Sequence, residues 1–181
     1  MFFSIHKDHL HASRSLADAL SHRLKKVNQE IVVVCVGTDR SSGDSLGPLV
    51  GSHLSSIEGF HVYGTLENPV HANNLLATQK TISIYHPNAF IIAVDAGLGK
   101  RESIGKIQLT EGPLSPGKGL GKELPTIGDI SILGIVNAVG LDSFVTLLTT
   151  RLYEVMTLST IISDALYTSI RKKQRAMHYL S

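Results

Sequence analysis

Two aspartates follow apolar segments of the sequence, at positions where their carboxylates could do chemistry. Asp44 lies in the polar loop after the apolar run 31–36, and Asp95 directly follows the run 89–94. Such runs predict buried parallel strands, whose carboxyl ends meet at one edge of a sheet. Two carboxylates in one crevice can share a proton, activate a water molecule or hold a divalent metal ion.

Structural roles compete with chemistry at Asp44 more than at Asp95. An aspartate after a strand often caps the next helix, and a helix is predicted to begin near Asp44 or Ser45. Asp95 is followed by Ala96 and Gly97, which offer no helix to cap. The residues alone therefore favour chemistry at Asp95 and leave both roles open for Asp44.

The polar loop around Asp44 argues against two familiar kinds of site. Its serines belong to no Gly-x-Ser-x-Gly motif, which disfavours a serine hydrolase. The loop also lacks the glycine and lysine patterns of nucleotide-binding loops. Asp39 is a candidate third polar group of the site and a candidate substrate-binding residue. The alternative is a local ion pair with its neighbour Arg40, which is worth little at a surface.

The histidines of the chain show no metal-binding pattern. None of the nine stands in His-x-x-x-His or Cys/His spacing, so a structural zinc site is not predicted. His71 and His86 could reach the strand ends, but capping or surface roles suit both of them better.

Length and composition indicate one globular domain over residues 1–181. A net charge of +2 predicts no nucleic-acid surface. No run reaches the roughly eighteen apolar residues of a membrane span, and the N-terminus lacks the apolar core of a secretory signal. The single cysteine, Cys35, excludes an internal disulfide and favours a reducing compartment. We expect a cytosolic protein.

Strands that alternate with helices predict an α/β fold, a three-layer α/β/α sandwich with a mostly parallel central sheet. Leu75 and Leu76 are expected to face inward from the third helix. The helical spacing after Asp142, a predicted N-cap, continues nearly to the end of the chain, so we expect a break near 157–160 or an end that projects to a partner. The predicted strands are 31–36, 60–65, 89–94, 107–110 and 130–136, and the earlier helices are 10–27, a second one ending near 57, and 70–81.

Glycines are concentrated after Asp95. Gly97 and Gly99 follow it directly, and the loop 112–121, which includes Gly119, is dense in glycine and proline. Long loops inside a small domain are usually functional. We expect Gly97, Gly99 and Gly119 to contact substrate, since glycine lets a substrate backbone approach or supplies N–H donors.

Several segments carry a resemblance to a known family. GTDRSSGDSLGPLVG, YGTLENPVHANNL and IIAVDAGLG, with GPLSPGKGLGKELPTIGDISILGIVN and TTRLYEVM, resemble the YyaC family of sporulation proteins. That family is similar to the spore germination protease and, more distantly, to the hydrogenase maturation endopeptidases. The resemblance implies a phosphorylase/hydrolase-like α/β/α sandwich. It also implies that the protein is located in the cytosol of a spore or sporulating cell. It also implies that Asp44 and Asp95 correspond to the two essential aspartates of the protease.

The leading hypothesis is a peptidase of atypical aspartate type that cleaves a protein or peptide substrate with Asp44 and Asp95 and needs no cofactor. The chain is about half as long as the protease it resembles, so the resemblance does not identify the substrate of this chain. One alternative is a metal-binding maturation-type endopeptidase, with Asp44, Asp95 and His71 as ligands. Another is a non-catalytic sporulation binding or assembly factor that uses the long C-terminal helix, through which a homo-oligomer could also form. A distant third is a nucleoside- or peptidyl-tRNA-directed hydrolase.

Overall fold

A computed structural model describes residues 1–117 and 125–178, which form an α/β fold with helices on both faces of one sheet. The α/β prediction is confirmed. The strands are β1 (Phe3–His6), β2 (Ile31–Cys35), β3 (His61–Tyr63), β4 (Phe90–Gly99), β5 (Lys106–Glu111) and β6 (Ile130–Ala138). The helices are α1 (Ala12–Leu24), α2 (Leu46–Ser55), α3 (Leu75–Tyr85), α4 (Ser143–Leu148) and α5 (Leu152–His178).

The sheet is mixed, so the prediction of a mostly parallel sheet was wrong. Its order is β1-β5-β6-β4-β2-β3. The strands β3, β2, β4 and β6 are parallel neighbours, whereas β5 runs antiparallel to both β6 and β1. Alternating apolar residues indicate that a segment is a strand but not its direction, and the short β1 was not predicted at all.

Side-chain alternation along the central strands builds a core on each face. Val33 and Cys35 of β2 belong to the larger core, which contains the buried faces of α1, α2 and α5. Val32 and Val34 belong to the smaller one, together with Leu75 and Ile82 of α3. Successive strand residues point to opposite faces, so an unbroken apolar run such as β2 serves both cores.

The third helix begins at Leu75, five residues later than predicted. Asn74 organises a turn in its place, since its side chain accepts from the His71 N–H and donates to the Pro69 carbonyl, both at 2.8 Å. Val70 instead forms an isolated bridge with Val36. With this start Leu75 is buried, but Leu76 is 60% exposed, which corrects the prediction that both face inward.

The C-terminal helical segment breaks earlier than predicted. Asp142 caps α4 as expected, accepting from the N–H groups of Phe144 and Val145. The chain then leaves the helix at 149–151, where the Thr150 carbonyl accepts a 2.6 Å bond from Ser42 Oγ. Residues 157–160 lie inside α5, where the Thr157 and Thr160 hydroxyls bond to carbonyls four residues earlier. No helix within the described ranges is long and apolar enough to cross a membrane.

Candidate active site

Asp95 lies where strand β2 ends and its neighbour β4 continues. The ladder between the two strands closes at Cys35 and Val94, while β4 runs on beside β6 as far as Gly99. Asp95 therefore lies inside β4. The sequence had predicted that it follows the end of this strand, so that prediction is corrected. Its side toward β2 no longer has a strand partner, so the loop after β2 can occupy that space.

The loop after β2 folds back tightly and brings Asp44 to this position. Gly37 has φ +138°, and a Cβ there would lie 2.0 Å from the Asp44 carbonyl oxygen, so only glycine fits. The Thr38 N–H then bonds to the same carbonyl at 3.0 Å. Asp44 lies in a short 3₁₀ turn, and the N-cap position of α2 belongs to Ser45, so Asp44 is not the cap of that helix.

Asp44 and Asp95 lie together at the junction of two clefts. The larger cleft, about 690 Å³, is lined by both carboxylates and by residues of the loops after β2 and β3. The smaller one, about 370 Å³, is lined by the same two carboxylates and by residues of β4, β5 and β6. Gly117 and Leu147 also border both clefts.

The environment of Asp95 favours its protonated form. The side chain is only 8% exposed. Burial raises the pKa of this carboxyl well above its ordinary value of 3.8, and the nearby Asp44 carboxylate raises it further. A 2.7 Å hydrogen bond from the Ala96 N–H to Oδ1 opposes these effects but is the smallest of the three. Two carboxyls with such different surroundings can divide the roles of acid and base.

Asp39 and His71, which the sequence proposed as neighbours of the pair, also line the larger cleft. His71 Nδ1 accepts from the Asn73 N–H at 3.3 Å, as part of the turn before α3. In residues 1–117 and 125–178, the ligand atoms of Asp44, Asp95 and His71 do not all lie within 4.8 Å of one another. The three side chains therefore form no ready-made metal cluster in this structure, and their role as metal ligands stays a prediction.

The three glycines expected to contact substrate have different positions. Gly97 lines the smaller cleft, although a Cβ there would also meet the Leu133 side chain at 2.7 Å. Gly99 lines neither cleft, and its missing side chain accommodates Ile135 instead. The packing of β4 on β6 explains both residues without a substrate. Gly119 lies outside the described residues.

Sequence reasoning missed several residues of the larger cleft. Ser41 is 7% exposed, and its Oγ has no hydrogen-bond partner in the described part of the chain. Glu67 follows the end of β3, so the rule that selected Asp44 could have found it. Phe144 and Leu147 come from α4, about a hundred residues away in the chain, and no local signal connects them with the site.

The cysteine takes no part in this chemistry. Cys35 is buried in β2, and burial raises the pKa of its thiol. A thiol that stays protonated is a poor nucleophile.

Comparison with known proteins gives a family and one curated relative. The model of a family described as "Protein of unknown function (DUF1256)" matches residues 4–165. The uncharacterized protein YyaC of Bacillus subtilis is 46% identical over 167 residues, which cover 91% of this chain and 82% of the relative.

Proposed function

Because the chain belongs to the DUF1256 family, whose function is unknown, we propose its activity from its site: hydrolysis of peptide bonds by the Asp44 and Asp95 carboxyls. One observation carries the proposal. A buried carboxyl with a raised pKa, Asp95, lies at the junction of two clefts beside a second carboxyl, Asp44. Strongly shifted titratable groups in a cleft are typical of active sites.

The surroundings of the two groups assign their roles. Asp44, ionised, takes a proton from a water molecule as the water oxygen attacks the scissile carbonyl carbon. Asp95, protonated, hydrogen-bonds to the carbonyl oxygen and gives it its proton. When the C–N bond breaks, Asp44 returns its proton to the leaving nitrogen and Asp95 recovers one from the tetrahedral hydroxyl. Both carboxyls end as they began, as general acid–base catalysis requires.

The clefts suit an extended peptide. They lie on either side of the carboxyl pair, so a chain could pass through both with its scissile bond over the pair. Leu66, Phe144 and Leu147 give the larger cleft apolar walls, and Asp39, Arg40 and Glu67 give it charge.

Exposed apolar side chains near the larger cleft favour a protein as the substrate. Leu141, Phe144, Val145 and Leu148, on and just before α4, are all at least 44% exposed. Apolar patches beside a cleft are typical of protein-binding surfaces. The resemblance to sporulation proteins leads us to propose a substrate in the spore or the sporulating cell.

A second candidate is a binding factor without catalysis, as the exposed apolar residues of α4 would serve either role. Leu152 and Tyr153 at the start of α5 extend this exposed set. Binding without cleavage would leave captured peptides intact, so one experiment separates the two functions.

The test is cleavage of a defined peptide mixture by the purified chain, followed by mass spectrometry. We expect the wild type to cleave, and Asp44→Asn and Asp95→Asn each to lower kcat by about 10²–10⁴-fold, the usual contribution of a positioned acid or base. Asp18→Asn, which changes an exposed aspartate of α1, is the matched control and should cleave like the wild type.

Two results would overturn the peptidase proposal. The first is wild-type protein that binds peptides from the mixture but cleaves none of them across a range of pH. The second is equal cleavage by the wild type and both variants, which would indicate a contaminating protease.

A further inference from the structure

Three side chains that could bind a metal ion meet at the amino ends of β2 and β3, and the clefts lie at the opposite ends of these strands. Glu30, His61 and His86, here called the edge triad, each offer one ligand atom, and these atoms all lie within 4.8 Å of one another. His61 Nε2 lies 2.9 Å from Glu30 Oε1, and His86 Nδ1 lies 2.9 Å from Glu30 Oε2. The two imidazole centroids are 4.7 Å apart.

Each member of the edge triad lies in or directly beside a different element, and backbone pairing holds each of them in place. Glu30 immediately precedes β2, and its carbonyl accepts from the Phe90 N–H at 2.7 Å. His61 is the first residue of β3 and pairs with Val32. His86 follows α3, and its N–H bonds to the Ile82 carbonyl at 2.8 Å. The three side chains therefore converge because the tertiary structure holds their backbones, not because they are close in sequence.

The surroundings of the edge triad suit a metal ion with an open coordination position. The side chains of His61 and Glu30 are 45% and 43% exposed, while that of His86 is only 12% exposed. The Tyr63 ring packs edge-on against the His86 ring at 5.9 Å and restrains its orientation. One ligand is thus held rigidly, and solvent can reach the other two.

The donor set has a definite chemical preference. Two imidazole nitrogens and one carboxylate oxygen suit Zn²⁺, Co²⁺, Ni²⁺ or Cu²⁺, whereas Ca²⁺ and Mg²⁺ prefer oxygen ligands. A tetrahedral Zn²⁺ site with bonds near 2.0–2.1 Å places its ligand atoms about 3.4 Å apart. The 2.9 Å contacts to Glu30 and the 4.8 Å limit bracket that spacing, so small side-chain movements produce it.

We propose that Glu30, His61 and His86 bind one divalent transition-metal ion, of which Zn²⁺ is the representative, with solvent as a fourth ligand. The ion links β2, the three-residue edge strand β3 and the end of α3. Its role is structural: it stabilises the packing of β3 and the end of α3 against β2. The site is independent of the proposed peptidase activity, because β2 separates the edge triad from the clefts by about 16 Å at 3.3 Å per residue.

The experiment uses the full chain, without an affinity tag, after treatment with a chelator and gel filtration. We titrate Zn²⁺ by calorimetry and Co²⁺ by its visible absorption, and we record the Tm with and without Zn²⁺. One equivalent of each metal should bind, the Co²⁺ spectrum should show the intense bands of a tetrahedral site, and Zn²⁺ should raise the Tm.

Variants of the two histidines assign the site. His61→Ala and His86→Ala should each weaken Zn²⁺ binding by more than about 100-fold, since loss of an outer-shell partner alone typically costs 10–100-fold. The control is the double variant His9→Ala/His11→Ala, which removes an exposed histidine pair with ring centroids 6.4 Å apart and should bind one equivalent as before. Circular dichroism of each metal-free variant shows whether it is folded.

Three results would overturn the proposal. They are no stoichiometric binding by the wild type, undiminished binding by a folded His61→Ala or His86→Ala variant, and loss of binding in the His9→Ala/His11→Ala control. The last result would mean that the N-terminal histidines hold the metal.

Discussion

At the scale of single residues, Asp95 is the unusual group of this protein. Its neighbours in β4 and β6 are apolar, and Leu133 lies opposite it in the ladder. Burial of an ionised carboxylate is costly, so such a group keeps its proton to a higher pH. Within residues 1–117 and 125–178 no salt bridge pairs Asp95 with a cation, and a second acid, Asp44, lies nearby, so the ionised side chain adds nothing obvious to stability. Its presence is easier to understand as part of a chemical function.

The raised pKa of Asp95 predicts how stability depends on pH. Above the ordinary value of 3.8, the unfolded chain releases this proton while the folded chain retains it. The folded state then binds more protons, so the Asp95 contribution to the free energy of unfolding is full below pH 3.8 and decreases as pH rises through the folded pKa. Asp95→Asn removes this dependence and retains an oxygen for the Ala96 N–H.

We therefore expect Asp95→Asn to be more stable than the wild type at neutral pH, and the difference to shrink as the pH falls toward 4. Chemical denaturation of both proteins at a series of pH values measures it. Asp18→Asn serves again as the control and should show no such trend. A difference that stays constant with pH, or grows in acid, would contradict a raised pKa at Asp95.

At the scale of elements, α4 connects local helix chemistry with the candidate site. It has only six residues, and its Phe144 and Leu147 line the larger cleft. Gly43, next to Asp44, packs so closely on α4 that a Cβ there would meet the Leu147 carbonyl oxygen at 2.7 Å. A helix this short is marginal by itself, so its cap and its packing keep it in place.

Removal of the cap should loosen α4. Asp142→Ala takes away the acceptor for the Phe144 and Val145 N–H groups, which typically costs about 1 kcal/mol. We expect faster amide hydrogen exchange in α4 and a higher KM for any cleaved peptide, with kcat little changed. Asp142→Asn is the matched control, because asparagine caps helices about as well as aspartate. Equal exchange rates in both variants would show that the cap does not hold α4.

At the scale of the whole molecule, the parallel strands separate two kinds of chemistry. The carboxyl ends of β2 and β3 lead into the loops of the larger cleft, and their amino ends carry Glu30 and His61. The apolar face of α5 is buried against α1, α2 and the sheet, with Leu158, Ile162 and Leu166 fully covered. A homo-oligomer through α5 stays a prediction, and it would need other residues of that helix.

The separation predicts that the two sites act independently. We expect the double variant Asp44→Asn/Asp95→Asn to bind one equivalent of Zn²⁺ with an affinity within about twofold of the wild type, since changes more than 7–10 Å apart usually add within about 0.3–0.5 kcal/mol. Calorimetry of the two proteins side by side checks this. A loss of stoichiometric binding would place the metal at the clefts instead of the edge triad.

Much of the fold could be predicted from local patterns. The apolar runs of β2 and β4 are flanked by polar residues, so β2 and the start of β4 were predicted to within one residue, whereas β4 continues to Gly99, five residues beyond its predicted end. The cap at Asp142 followed from residue type and position alone. The start of α3 was not predictable in this way, because the turn built by Asn74 competes with helix in a segment whose apolar spacing permits both. The membership of the YyaC family, which the motifs indicated, is confirmed.

The sequence determined which residues form the central strands and which two carboxyls follow or interrupt them, because side-chain periodicity and loop composition are local properties. Only the tertiary structure decided the antiparallel direction of β5, since strand pairing joins residues far apart in the chain. It also decided the raised pKa of Asp95 and the meeting of Glu30, His61 and His86. Burial and convergence depend on what the rest of the chain places around a residue, and no local pattern contains that information.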